Sequence, residues 1–300
     1  MEWLKRAVAF QNTLKHFEKE PFLSAIQRSE QNSIVVRTSA ELERLGSIQE
    51  RNVPAQILVS GKKTFQAAKA YKNKRRVAVL NFANYYQPGG LVELGASTQE
   101  EELCRCSTLF PVINSRYLKE RYYDDSARYL VDAMDIFQCS VMGKCRNYSC
   151  AISYVPDILV FKDDGRNNRH LEEKEYYSVD VITSAAPRIP KKMRGRFSKE
   201  EKEKYLHLYC ERAEMIIGAA AHKGVDVLIL GAYGCGAFNN PPELVAKAFA
   251  IVSKKYQNCF DVIEYGIYPG EKSENYKIFQ SVLFGSGENN HFGSGENNQF

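Results

Sequence analysis

Two apolar, strand-like runs lie far apart in this chain, and each ends in a glycine-rich turn that leads into a helix start. The first run is Val-Ala-Val-Leu at 77–80; the glycines of 88–95 and the acidic stretch 99–102 follow it. The second run occupies 225–230, and three glycines fall within the next six residues, 231–236. Runs of this kind are typical of buried strands, and open α/β sheets bind ligands where such strands end. The two turns therefore predict a ligand site at one sheet edge.

The turn after the first run combines a phosphate-type loop with two adjacent carboxylates. Glycines allow positive φ and a close backbone approach, while N–H groups at a helix start favour an anion such as a diphosphate. Glu100 and Glu101 follow directly, and either one offers an acid/base group. The same residues fit a capping box with Thr98 as N-cap, which stabilises a helix start by about 0.3–1 kcal/mol. From this stretch alone both interpretations stay open.

A second capping box, Ser-Lys-Glu-Glu at 198–201, begins a long helix that is predicted to end at Gly224. The chain uses the pattern there only to start a helix. A capping box therefore does not by itself indicate chemistry at Glu101.

The second turn, 231–240, has a plain strand-to-helix turn as its alternative interpretation, although three glycines exceed what such a turn requires. The helix after it is predicted to begin near Pro242, with Asn239 or Asn240 as N-cap. A strand, a glycine turn and a helix start together form an anion-binding geometry.

Both turns resemble the signature of the microbial-type poly(ADP-ribose) glycohydrolases, a branch of the macrodomain superfamily. The first match is Asn-Phe-Ala-Asn at 81–84, then Pro-Gly-Gly at 88–90, then Gln-Glu-Glu at 99–101, with seven residues between Leu91 and Gln99. The stretch 231–240 resembles the family's other phosphate loop. Weaker ordered matches extend the resemblance over nearly the whole chain, from about residue 30 to about 283: 38–40, 155–161, 181–187 and 275–279.

The resemblance implies a macrodomain-like fold and a ligand, ADP-ribose, that composition and spacing do not identify. It implies that Phe238 packs on the distal ribose and that Asn84 lies near the hydroxyls of that sugar. It places the diphosphate between two sets of residues: Gly89, Gly90, Leu91 and Val92 on one side, and Gly234, Cys235, Gly236 and Ala237 on the other.

The catalytic roles are also implied by the resemblance. Glu101 would be the acid/base that protonates the departing ribose oxygen and then deprotonates the attacking water. Glu100 would position the substrate, and Gln99 would brace the catalytic loop. The bond cleaved would be the ribose–ribose O-glycosidic bond, through an oxocarbenium-like transition state. This mechanism needs no metal and no other cofactor.

The chain departs from the family pattern at one position, because the third consecutive glycine is replaced by Leu91. If that position needs positive φ, a leucine costs about 1–2 kcal/mol. If φ is negative, the side chain covers the ligand instead. Loop geometry, and with it turnover or substrate choice, depends on the outcome.

We therefore expect a hydrolase that releases ADP-ribose from poly(ADP-ribose), mainly from chain ends. One alternative is a hydrolase of single ADP-ribose units on protein or nucleic acid, and another is a non-catalytic ADP-ribose-binding module. The expected partners are ADP-ribose and poly(ADP-ribose) on modified proteins, and the chain is expected to act as a monomer.

Alternating strands and helices predict a three-layer α/β/α sandwich with a mixed, largely parallel sheet. Three hundred residues with 44% hydrophobic content can bury one sizeable core. We expect an N-terminal helical extension at 1–30, packed on a catalytic domain at 31–283. The tail, 284–300, repeats an eight-residue Gly/Asn-rich unit and is expected to be flexible.

The net charge of +5 permits an anionic ligand without requiring nucleic acid, and the basic run 72–76 is expected to be a solvated connection. The eight cysteines are scattered, which fits reduced thiols and a cytoplasmic location. No apolar run is long enough for a membrane span or a signal peptide. A zinc site is not expected, because nothing in the spacing supports the set Cys139, Cys145, Cys150 and His170.

Overall fold

The structure is a computed structural model, and it describes residues 2–72, 75–124, 150–165, 167–189, 195–270 and 274–285. These residues include one seven-stranded sheet with the spatial order β1-β4-β5-β3-β6-β7-β2. The strands are β1 (Ile34–Val36), β2 (Gln56–Ser60), β3 (Val77–Phe82), β4 (Ile152–Val160), β5 (Tyr177–Ser184), β6 (Val227–Leu230) and β7 (Val262–Gly266).

The sheet is mixed but largely parallel. The neighbours from β5 to β2 pair in parallel, whereas β4 is antiparallel to both β1 and β5. β3 and β6 fall on the apolar runs 77–80 and 225–230, which the sequence predicts as strands.

Ten helices surround the sheet in the described part of the chain. They are α1 (Glu2–Leu14), α2 (Phe22–Asn32), α3 (Ser39–Glu43), α4 (Thr64–Lys69), α5 (Gln99–Cys106), α6 (Leu109–Ile113), α7 (Arg116–Leu118), α8 (Lys199–His222), α9 (Pro242–Lys255) and α10 (Asn275–Phe284).

Alternation along the central strands produces the three layers. In β3, Ala78 and Leu80 face the core beneath α8 and α9, whereas Val77 and Val79 face the core beneath α1, α2 and α5. Successive side chains of a strand point to opposite faces, so a strand that is apolar throughout must be covered on both sides. The predicted three-layer α/β/α sandwich is confirmed.

The N-terminal helices pack on the layer that carries the acidic stretch. Phe10 of α1 is fully buried and meets Phe110 edge to face, with 4.9 Å between ring centroids. The Thr13 hydroxyl donates to the carbonyl oxygen of Arg105 at 2.6 Å, which ties α1 to α5. We propose that residues 1–30 are an extension of a single catalytic domain at 31–283. Residues 286–300 of the predicted flexible tail lie outside the described residues, and its first residue, Phe284, is the last residue of α10.

The basic run 72–76 is described only in part. Arg76 donates to Asp180 at 2.8 Å, and Arg75 pairs with Asp261, so both guanidinium groups are held by acidic side chains of this chain. No helix among the described residues has the length and hydrophobicity that crossing a bilayer requires.

Candidate functional site

The two glycine turns meet across one cavity. They follow β3 and β6, which are parallel neighbours, so both turns leave the same edge of the sheet. Tyr85 from the first turn stacks on Phe238 from the second, with ring centroids 5.0 Å apart and an interplanar angle of 7°. The cavity between the turns has a volume of about 570 Å³. A cavity of this volume is in the usual range for a small-molecule site.

Nine of the thirteen predicted site residues line this cavity: Asn84, Leu91, Gln99, Glu100, Glu101, Gly234, Gly236, Ala237 and Phe238. Gly89, Gly90, Val92 and Cys235 are buried behind the lining. The side chain of Val92 belongs to the core beneath α1. These four residues support the walls of the cavity from behind.

Gly90 is required by its distance to the two carboxylates. Its φ is +56°, and a β-carbon at this position would lie 2.4 Å from Oε1 of Glu101 and 3.4 Å from Oε2 of Glu100. No side chain fits there unless the glutamates move. The backbone of the glycine turn is therefore in direct contact with Glu100 and Glu101.

Glu100 is held in the protein interior by the first turn. Its carboxylate accepts hydrogen bonds from the backbone N–H groups of Asn84 at 2.7 Å and Gly89 at 3.2 Å. The side chain of Asn81 lies 3.4 Å away as a further donor. Burial is the main cause that raises the pKa of Glu100 to about 8; the neighbouring Glu101 also raises the pKa, whereas these hydrogen bonds lower it. Glu100 is therefore mostly protonated near neutral pH.

This raised pKa predicts a pH-dependent stability. The native state keeps the proton of Glu100 up to about pH 8, whereas an ordinary carboxyl loses it near 4.5. Between those values the native state binds more protons than the unfolded state, so the free energy of unfolding falls as pH rises, by at most about 1.4 kcal/mol per pH unit. Denaturant titrations from pH 5 to 8 should show a smaller fall for Glu100→Gln than for the wild type. Equal slopes in the two proteins would contradict this protonation state.

Glu101 does not use its side chain as a helix cap. Its Oε1 accepts from the backbone N–H of Leu91 at 3.1 Å, and its Oε2 bonds the hydroxyl of Thr98. Thr98 is the N-cap of α5, but its side chain accepts no backbone N–H. The capping-box interpretation of this stretch is therefore wrong, because the Glu101 carboxylate is held at the glycine turn instead.

The second box behaves as the sequence predicts. Ser198 accepts from the backbone N–H of Glu201 at 3.2 Å, and Glu201 accepts from the N–H of Ser198 at 2.7 Å. The two Glu-Glu helix starts thus have the same spacing and different geometry.

Gln99 fixes α5 to the end of β3. Its carboxamide oxygen accepts from the N–H of Phe82 at 2.9 Å, and its nitrogen donates to the carbonyl of Leu80 at 2.6 Å and to Thr64 at 3.1 Å. Asn84 uses its side-chain oxygen to cap the first turn, where it accepts from the N–H groups of Tyr86 and Gln87 at 3.2 Å. Its nitrogen is then the side-chain atom that can donate to a ligand.

Leu91 occupies its position without backbone strain. Its φ is −104°, which is negative and accessible to leucine, and its side chain lies on the cavity rim. Restoring the family's glycine should therefore not stabilise the protein. We expect Leu91→Gly to lower the free energy of unfolding by about 0.5–1 kcal/mol, because glycine gains entropy in the unfolded chain. A gain in stability on denaturant titration would show that Leu91 is strained.

The second turn is held from behind by its two asparagines. Asn240 donates to the carbonyl oxygens of Gly234 and Pro187, each at 2.8 Å, and Asn239 donates to that of Ile189 at 3.1 Å. The predicted N-cap role of Asn239 or Asn240 is wrong, since Pro241 is the N-cap and α9 begins at Pro242. Both carboxamides are instead used to shape the loop.

Several lining residues were not predicted from the sequence. Lys63 follows β2 and Tyr268 follows β7, so both lie at the same sheet edge as the glycine turns. The rule that ligands bind where parallel strands end was the signal available for them. Asp164 caps α4 by accepting from the N–H of Phe65 at 2.9 Å, and burial raises its pKa to about 6. No local pattern marks Asp164, because its partner lies about a hundred residues away in the chain.

The predicted absence of a zinc site is tested only in part. Cys139 and Cys145 lie outside the described residues. Among the residues that the structure does describe, no three or more His, Cys, Asp or Glu side chains are grouped as a metal site requires.

The chain is similar to known proteins over most of its length. A model of the family described as microbial-type poly(ADP-ribose) glycohydrolase, catalytic domain, matches residues 6–163. This is just over half of the chain, and it includes the first glycine turn and the acidic pair. A search of the curated proteins gives no significant match.

Similar solved structures cover nearly all of the chain. The poly(ADP-ribose) glycohydrolase of Thermomonospora curvata is 25% identical, with a TM-score of 0.75, over 92% of this chain and 98% of that one. The same enzyme bound to the inhibitor ADP-HPD is 26% identical, with a TM-score of 0.74, over 91% and 97% of the two chains. The Deinococcus radiodurans enzyme in complex with ADP-ribose is 27% identical, with a TM-score of 0.68, over 86% and 97%. The chain therefore shares their macrodomain-like fold.

Proposed function

The chain belongs to the microbial-type poly(ADP-ribose) glycohydrolase family and is a glycosidase of that type. We propose that it releases ADP-ribose mainly from the ends of poly(ADP-ribose), with Glu101 as acid/base. One observation supports this most. Two glycine turns converge on one cavity, and two buried glutamates at the start of α5 form part of its wall.

ADP-ribose fits this cavity by its chemistry. The diphosphate lies between Leu91 on one wall and the open backbone of Gly236 and Ala237 on the other, near the start of α5. Helix starts and glycine turns present N–H groups to anions. The distal ribose lies against Phe238. The adenosine then binds to the part of the cavity that Thr64 and Tyr268 line. The structure of the similar Deinococcus enzyme in complex with ADP-ribose supports the choice of this ligand.

Glu101 is proposed to carry both proton transfers. It gives a proton to the ribose oxygen as the glycosidic bond breaks. Water then forms a bond to the anomeric carbon and returns a proton to Glu101, so the carboxyl ends as it began. The N–H of Leu91 and the hydroxyl of Thr98 hold the two carboxyl oxygens of this group in place.

Glu100 is proposed to position the substrate. It is protonated near neutral pH because burial raises its pKa to about 8. A neutral carboxyl can donate a hydrogen bond to a ribose hydroxyl, which a carboxylate cannot do. Because this carboxyl is neutral, it also adds no negative charge beside the diphosphate.

Cleavage at chain ends is supported by the size of the cavity. A volume of about 570 Å³ suits one ADP-ribose unit and not a run of units. The chain-length distribution early in digestion tests this. Monomeric ADP-ribose should appear first while long polymers shorten gradually, and an early burst of intermediate oligomers would indicate internal cleavage.

We further propose that the protein acts as a monomer on poly(ADP-ribose) attached to modified proteins, in the cytoplasm. No disulfide joins two cysteines of the described residues, which supports a reducing compartment.

A further inference from the structure

A second groove opens beside the active-site cavity and shares Lys63, Ser97 and Glu102 with it. It has a volume of about 830 Å³ and lies between α1 and the turn after β4. We propose that this groove binds the diphosphate of the next ADP-ribose unit, on the leaving-group side of the cleaved bond. The proposal rests on the proposed function, and it gives the N-terminal extension a role in substrate binding.

The position of the groove follows from the position of the acid. A general acid must lie within hydrogen-bond reach of the oxygen that departs. The hydroxyl of Thr98 bonds Oε2 of Glu101, and the preceding residue, Ser97, lines both cavities. A leaving group that departs past Thr98 and Ser97 therefore enters the groove.

The groove offers cations for a diphosphate from two elements. Lys5 and Arg6 come from α1, and Lys63 comes from the start of α4. Nε of Arg6 donates to the carbonyl of Gly95 at 2.7 Å, which fixes the guanidinium and leaves its two terminal nitrogens as donors. Arginine held in this way suits phosphate oxygens, because its planar donors are already oriented.

The groove also contains two carboxylates, and both are matched by cations. Glu102 accepts from Arg105 at 2.6 Å and lies 3.6 Å from Lys63. Glu2 pairs with Lys5 at 3.1 Å, but both side chains are largely exposed. An exposed pair of this kind contributes little stability, so an anion can replace Glu2 as the partner of Lys5.

The test compares two substrates that differ only in the leaving group. One is poly(ADP-ribose), and the other is an aryl glycoside of ADP-ribose whose leaving group carries no phosphate. The readout is the ratio of kcat/KM for polymer to kcat/KM for the glycoside. Lys5→Glu and, on the opposite wall, Asn167→Asp should each lower this ratio by about 3- to 20-fold, because each places a negative charge beside the bound diphosphate.

Lys15→Glu is the matched control, since it makes the same charge change one residue beyond the end of α1, at an exposed position outside the groove. This variant should keep the wild-type ratio. Raising the salt concentration should reduce the difference between Lys5→Glu and the wild type.

The proposal is overturned if Lys5→Glu and Asn167→Asp keep the wild-type ratio, or if Lys15→Glu lowers it equally. A wild-type protein that released no ADP-ribose from polymer would instead overturn the proposed function. The two failures are therefore distinguishable.

Discussion

Glu101→Gln should abolish turnover and keep ligand binding. Removal of a general acid/base lowers the rate by about 10²- to 10⁴-fold. The glutamine is nearly isosteric, and its carbonyl oxygen can still accept from the N–H of Leu91. Its amide nitrogen can face Thr98. We therefore expect a calorimetric dissociation constant for ADP-ribose close to that of the wild type, together with loss of ADP-ribose release.

The matched control for this change is Glu201→Gln. Glu201 has the same place at the start of its helix, but its half-buried carboxylate accepts from the N–H of Ser198 and lines no cavity described above. This variant should lose at most about 1 kcal/mol of stability and no activity. If Glu101→Gln turned over poly(ADP-ribose) at the wild-type rate, the acid/base assignment would be wrong.

Gly90→Ala should cause the second large loss. The new methyl group would lie 2.4 Å from Oε1 of Glu101, so either the carboxyl or the turn must move. A displacement of about 1 Å in a catalytic group costs about 100-fold in rate. The positive φ adds about 1–2 kcal/mol of backbone strain. We expect kcat to fall at least about 100-fold, and steady-state kinetics on poly(ADP-ribose) will measure it.

Gly224→Ala is the control that distinguishes backbone strain from displacement of Glu101. Gly224 also has positive φ, at +66°, but a β-carbon there meets nothing within 4 Å. This variant, which lies just beyond the end of α8, should lose similar stability and keep its kcat. Similar kcat values for Gly90→Ala and Gly224→Ala would show that Gly90 is only a turn residue.

The sequence predicts the fold well because the pattern is local. The runs at β3 and β6 are apolar and are bounded by turn residues, and strands that are apolar on both faces can only lie in the middle of a three-layer structure. The convergence of the two turns follows from the same information, since the carboxyl ends of parallel strands share one edge.

The detailed site is less predictable because it depends on contacts between distant segments. The stretch at Thr98 and the stretch at Ser198 have the same local pattern. The N–H of Leu91 and the hydroxyl of Thr98 hold the Glu101 carboxyl, whereas Glu201 accepts from the N–H of Ser198 and caps its helix. Asn240 likewise bonds Gly234 and Pro187 instead of capping α9. In both cases a tertiary partner replaces the local hydrogen bond that the sequence pattern favours.

Leu91 shows a second limit of prediction from the sequence, which concerns backbone conformation. The sequence leaves the effect of this leucine on the loop open, because it does not give the sign of φ at this position. The observed value of −104° shows that the turn completes its left-handed residues at Gly89 and Gly90. Leu91 then changes what the ligand meets at the cavity rim and leaves the backbone path intact.

The most direct measurement is the amount of free ADP-ribose that the purified protein releases from poly(ADP-ribose), with Glu101→Gln measured in parallel. If the two glycine turns bind one terminal ADP-ribose unit beside a functional acid/base, the wild type converts most of the polymer to ADP-ribose and the variant converts almost none. A wild-type protein that binds ADP-ribose but leaves the polymer intact would contradict the account.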